Sequence, residues 1–227
     1  MSTTATPRPL PLSPRVQPAL LAARLEAAVQ AVDALVVTGD GPEGALALAH
    51  AGGEPVLAVG VEADGTLRRA VVAVDFGPAS VRAAALACRL LAPGGTLSLV
   101  HVKPRPELGH EAWDAWDGAR DRRLGELFRR LVVALRGTAG DASGRRDVTI
   151  GTAILVGDAA EERVEYAARV GAELLAVGTH GSRGGRLLAG SVVGELARRA
   201  GVELPECSVL LAPAPGEAAP GAVARAG

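Results

Sequence analysis

The chain has 227 residues, 48% of them hydrophobic and 22% charged, enough for a packed core in one domain of ordinary size with material to spare. Its formal net charge is −1, so it carries no basic excess with which to neutralise a nucleic-acid backbone. Aromatic residues are only 2%, which leaves Ala, Val and Leu to build closely spaced helix and sheet layers.

Residues 1–15 are rich in proline and read as a disordered or extended arm. They show no apolar targeting core. The stretch 19–37 is interrupted by Arg24, Glu26, Gln30 and Asp33, so it does not read as a membrane span. These features predict a cytoplasmic chain. From Val16 the periodicity is helical, with Leu21, Leu25, Ala28, Val29 and Val32 on one face. A strand at 34–38, a turn at 39–44, a short helix to His50 and a strand at 55–61 follow, closed by a turn at Asp64-Gly65.

Arg68 and Arg69 precede the apolar run 70–74, which suits a strand buried on both faces of a parallel sheet. Pro78 stands in the first turn of a helix whose inner face is expected to carry Val81, Ala84, Ala85, Cys88 and Leu91. Strand 96–102 leads to a proline-broken loop at 103–110. The helix 111–137 carries a stripe of Leu124, Leu127, Phe128, Leu131 and Leu135. After a loop at 140–146 comes strand 148–156. Asp158 and Glu161 have capping-box spacing for a helix over 159–170, with Val164, Ala167 and Ala168 facing inward. Strand 173–178, a glycine-rich loop to 190, a helix from Ser191, strand 208–212 and an Ala/Gly/Pro-rich flexible tail at 215–227 complete the chain. The strict alternation of strand and helix from residue 68 predicts an α/β, doubly wound, parallel sheet with right-handed crossovers.

Four pieces in this order resemble the universal stress protein family over residues 68–214. They are Val71-Val72-Ala73-Val74-Asp75-Phe76 with Pro78-Ala79-Ser80; Leu99-Val100-His101-Val102; Gly157-Asp158-Ala159-Ala160-Glu161; and Val177-Gly178-Thr179-His180-Gly181 followed by Gly190-Ser191-Val192. The resemblance implies a five-stranded, Rossmann-like sheet of order 3-2-1-4-5. It implies ATP as the ligand, with or without Mg2+, and a stress-response or regulatory role with little or no turnover. The residues it implies at the nucleotide are Ala73, Asp75, Val102, Gly178, His180, Gly181, Gly190, Ser191 and Val192. The family's ATP pattern is Gly-x2-Gly-x9-Gly-Ser/Thr. Only residues 182–189 separate Gly181 from Gly190, one fewer than that spacing.

The chemistry is also readable from the residues. Ligands of doubly wound sheets sit beyond the carboxyl ends of strands, where strand order reverses. Asp75 there can accept from a ribose hydroxyl or help hold a divalent ion. Gly178 and Gly181 let backbone amides approach a ligand closely. Ser191 opens a helix whose amides and dipole favour phosphate. Each residue has a plainer reading. Asp75 can cap the following helix, Gly178 and Gly181 can shape a turn, and Ser191 can be an N-cap. His101 reads as a packed strand histidine, and Trp113 and Trp116 as core or interface residues rather than a base-stacking platform. Lys103, the single lysine, is the only candidate for a lysine grip on phosphate. Cys88 and Cys207 lack metal or redox spacing and read as small buried apolar residues.

Residues 16–62 read as a partial, degenerate repeat contributing helix–strand–helix–strand. Asp33 to Gly41 resembles Glu173 to Gly181, and Pro55 to Val59 resembles Ser208 to Ala212. The family's last strands pair across a dimer interface, so residues 55–61 are expected to pair with 208–212 within one chain, or the last strand to make a homodimer. Two alternatives to nucleotide binding stay open. One is an interaction scaffold that kept the fold and lost the ligand. The other is dinucleotide binding at Gly39-Asp40-Gly41-Pro42-Glu43-Gly44, which matches GxGxxG after a strand. No membrane or nucleic-acid partner is expected.

Overall fold

A computed structural model describes residues 34–37, 41–60, 63, 67–105, 113–138, 147–179 and 192–215. The expected arm, the first helix, most of the glycine-rich loop and most of the tail lie outside these residues, as do the side chains of Trp113 and Trp116.

The strands are β1 (Leu35–Val37), β2 (Val56–Ala58), β3 (Arg69–Ala73), β4 (Thr96–Lys103), β5 (Thr149–Val156), β6 (Leu174–Thr179) and β7 (Ser208–Pro213). The helices are α1 (Gly41–Gly52), α2 (Pro78–Leu90), α3 (Trp113–Thr138), α4 (Ala159–Val170) and α5 (Val192–Glu203). One seven-stranded sheet has the order β1-β2-β7-β6-β3-β4-β5. Its five strands from β3 onward are all parallel to their neighbours and read 3-2-1-4-5, as the resemblance implies. The N-terminal piece extends the same sheet. β2 pairs antiparallel to β7 and β1 pairs parallel to β2. Of the two expected pairings for the last strand, the intramolecular one is formed, and that edge of β7 is occupied within the chain.

The sheet separates two cores. One face carries α2 and α3, with Leu86, Phe128, Leu131 and Leu135 against Leu97, Leu99 and Leu174. The other carries α1, α4 and α5, with Leu46, Val164 and Leu196 against Val71, Leu175 and Leu211. Each fully buried Leu or Val contributes roughly 1.5–3 kcal/mol relative to exposure, which is how an aliphatic core suffices without aromatics. Cys88 lies in the first core and Cys207 in the second, so the sheet stands between them and neither forms a disulfide.

Local signals explain the element ends. Pro78 occupies the first turn of α2 after Gly77. Asp158 accepts from the Ala160 and Glu161 amides at 2.9 and 3.0 Å, and Gly171 closes α4 at φ 60°. Two inner faces differ from expectation. On α2, Val81 is 38% exposed while Ser80 and Ala87 are buried. On α4, Ala168 is exposed and Arg163 is buried in its place, because the stripe 160, 163, 164, 167 faces the sheet.

At the amino ends of the central strands, Glu173 ties β3 to β6. Its Oε2 accepts from the Arg68 and Arg69 amides at 2.6 and 2.7 Å, and its Oε1 pairs with Arg69 Nη2 at 2.8 Å. Among the described residues, no helix is long and apolar enough to cross a membrane.

Candidate functional site

Strand order reverses between β3 and β6, whose crossovers leave on opposite faces of the sheet. Their pairing ends at Ala73↔Val177, and Ala73 also pairs with Val100 of β4. Two residues further along each strand lie Asp75, Thr179 and Val102, a single level at the carboxyl edge. The topology therefore brings together Ala73, Asp75, Val102 and Gly178. Ala73 and Val102 are buried, and Asp75 is exposed. Val192 opens α5 and is 46% exposed. His180, Gly181, Gly190 and Ser191 lie outside the described residues.

Asp75 is held by its own turn. Its Oδ1 accepts from the Gly77 amide at 2.8 Å and from Ser80 Oγ at 2.6 Å. It is not the N-cap of α2, which is Gly77. The next residue, Phe76, has φ 66°, a left-handed conformation costly for a residue with a large side chain. Its ring packs edge-on against Phe128 at 5.0 Å and against His101 at 5.5 Å between centroids. That aromatic anchor offsets the cost of the bend and sends the chain across the sheet edge with Asp75 at its crest.

Gly178 has a packing role. A Cβ there would lie against the backbone nitrogen of Ser80 and 2.5 Å from the carbonyl carbon of Ala79. The end of β6 thus abuts the first turn of α2, and only glycine permits this approach. With Gly178 turned toward α2, strand alternation sends Thr179 to the face of α4 and α5. Thr179 is 1% exposed and its Oγ1 has no hydrogen-bond partner.

Arg163 is buried on the same face, and its Nε also lacks a partner. Burial lowers its pKa below the usual arginine value, while the charges of Asp75 and Asp158 pull it back up. Sequence reading missed both residues. The signal for Arg163 was a charge on the apolar stripe shared with Ala160, Val164 and Ala167. The signal for Thr179 was its place in the alternation of Leu175 and Val177.

His101 points to the other face. Its Nδ1 lies 2.8 Å from the Val74 carbonyl, which can only accept, so Nδ1 carries the proton. Burial lowers its pKa, partly opposed by that hydrogen bond. Lys103 is buried, with Nζ 2.8 Å from Asp121 Oδ1 of α3. The only lysine is therefore committed to an ion pair with α3. Among the described residues there is no group of three His, Cys, Asp or Glu placed to hold a metal ion. The GxGxxG segment follows β1, an edge strand paired with β2 alone, so no strand crevice adjoins its outer side among the described residues.

The sequence model of the universal stress protein family matches residues 66–212. The chain belongs to the universal stress protein family. No curated protein sequence matches it. Solved structures resembling this universal stress protein include a family member from Burkholderia pseudomallei, 24% identical, covering 65% of this chain and 97% of that one at a TM-score of 0.44. A universal stress protein in complex with cAMP is 22% identical, covering 64% and 97%, at a TM-score of 0.47. A universal stress protein family protein from Arabidopsis thaliana with AMP bound is 18% identical, covering 65% and 92%, at a TM-score of 0.41.

Proposed function

We propose that this universal stress protein binds an adenine nucleotide, ATP foremost, in the crevice between β3 and β6, and acts as a regulatory binding protein with little or no turnover. The observation that carries the reading is the exposed Asp75 at the strand-order reversal, held at the carboxyl edge by the Phe76 bend. A carboxylate so placed suits the ribose hydroxyls. The His101 imidazole donates to a backbone carbonyl on the opposite face, which leaves it unsuited to serve as a general base here.

The test is thermal unfolding with and without ATP and Mg2+. At a hundred times Kd, ATP raises the unfolding free energy by about 2.7 kcal/mol. Asp75→Ala abolishes that rise. An unchanged melting temperature with ATP, ADP, AMP and cAMP overturns the reading. Mass spectrometry of ligand released by heating the freshly purified protein is the direct complement.

One observation favours a second reading, an interaction scaffold without a ligand. Asp75 Oδ1 is already engaged by Gly77 and Ser80, so the carboxylate also has a purely structural use. The scaffold reading expects no response to any nucleotide, together with a Tm loss in Asp75→Ala alone.

A further inference from the structure

Among the described residues, the buried side-chain polar atoms without a hydrogen-bond partner are Arg163 Nε and Thr179 Oγ1. They belong to different elements, α4 and β6. Both lie on the face covered by α4 and α5, Arg163 8% and Thr179 1% exposed. Both also stand at the carboxyl end of the sheet, Thr179 on the level of Asp75 and Arg163 in the opening turns of a helix that begins two residues after Gly157. α4 packs on β3 and β4, so the two orphans flank the end of β3 from either side.

An unsatisfied buried donor costs roughly 1–3 kcal/mol, and more when it carries a charge. Each such group calls for an explanation, and a bound ligand that supplies the missing partner is one that serves both. A guanidinium N–H needs an acceptor, and a threonine hydroxyl can donate as well. Asp75 and Asp158 act on Arg163 through space, yet neither accepts from its Nε. Because the guanidinium keeps its charge at every accessible pH, an anionic acceptor gains most from it, and a neutral nucleoside supplies none.

We propose that Arg163, with the Thr179 hydroxyl across the end of β3 from it, binds a phosphoryl oxygen of the ligand in the β3–β6 crevice, and so makes the site selective for nucleotides over nucleosides. This rests on the adenine-nucleotide reading above and adds a residue on α4 to it. Arg163 is a ligand-contacting residue on a helix stripe that would otherwise be apolar.

The experiment is calorimetric titration of the full chain and three variants with adenosine, AMP, cAMP and ATP. The unmodified protein binds the phosphorylated ligands about tenfold or more tighter than adenosine. Arg163→Met removes that preference and leaves adenosine affinity unchanged. Arg163→Lys, which keeps the charge and loses Nε, retains part of it. Thr179→Val weakens the phosphorylated ligands several-fold while adenosine is again unaffected. Should Arg163→Met fold poorly, as judged by its melting curve, the Lys and Val variants still separate the phosphorylated ligands from adenosine. Equal losses for adenosine and AMP, or no loss for either, overturn the role of Arg163 while nucleotide binding stands. Absence of binding by the unmodified protein overturns both.

Discussion

Leu57 lies directly opposite Leu210 in the antiparallel ladder between β2 and β7. Its flanking pairs are Val56↔Leu211 and Ala58↔Val209. Aligning 55–59 with 208–212 makes Leu57 and Leu210 counterparts of one another. The ladder is then a local two-fold, with its axis between two equivalent leucines. The surroundings agree: β1 runs parallel to β2 as β6 runs parallel to β7, and α1 packs against α5 with Pro42 beside Gly201. The N-terminal piece thus covers the outer edge of β7 within one chain.

The full chain is accordingly expected to scatter light as one copy. Leu57→Asp places a carboxylate in a fully buried position, at a cost of about 3 kcal/mol or more, and releases β2. The bared β7 edge then pairs with another molecule, and the mass rises with concentration. A variant that keeps the mass of one chain at every concentration contradicts this.

Gly178→Ala drives a methyl group into the backbone of Ala79 and Ser80, which cannot yield as a flexible side chain would. The expected loss is roughly 1–3 kcal/mol by urea unfolding. Gly151→Ala is the control, since a Cβ there meets nothing within 4 Å.

His101 gives the fold a dependence on pH of known sign. Its pKa in the folded protein lies below the ordinary 6.5, chiefly because the ring is buried. Below about pH 6.5 the unfolded chain therefore binds the extra proton first, and stability falls as pH drops toward the folded value. His101→Asn, which keeps a donor for the Val74 carbonyl, removes this part of the slope. Urea titrations between about pH 7.5 and pH 5, which bracket the ordinary histidine range, measure it.

Cys207 is buried and its thiol is pushed up to about 12 by that burial, with the Glu173 charge adding to it. Neither it nor the buried Cys88 is expected to react with iodoacetamide in the native protein at neutral pH. Both label on unfolding, and mass spectrometry counts the adducts. Rapid native labelling of Cys207 would show that β7 opens locally.

The sheet was readable because its signals are local. The apolar run 70–74 suits a doubly buried strand, Pro78 and Asp158 mark where helices begin, and the alternation of elements restricts the topology. The position of Asp75 at the carboxyl edge was legible for the same reason, since it follows directly from where its strand ends. Arg163 was not, because the helical stripe 160, 163, 164, 167 competes with the equally periodic 160, 164, 167, 168. Only packing against the sheet decides which of them turns inward. Gly178 was found as a residue but not for its role. Its contact with Ala79 and Ser80 joins positions about a hundred residues apart, which no local pattern encodes. The direction of the β2 strand was equally hidden, for three residues carry no mark of which neighbour they will run against.

The opposite ends of the central strands are provided for differently. Around Glu173, three donors from Arg68 and Arg69 meet one carboxylate, and Arg69 Nε reaches the Gly171 carbonyl at 2.7 Å. That end behaves as a clamp, with little slack for β3 and β6 to part. The ladder itself ends at the other rim with Ala73↔Val177, so side-chain anchoring of the two strands and the end of their pairing fall at opposite ends of one strand pair.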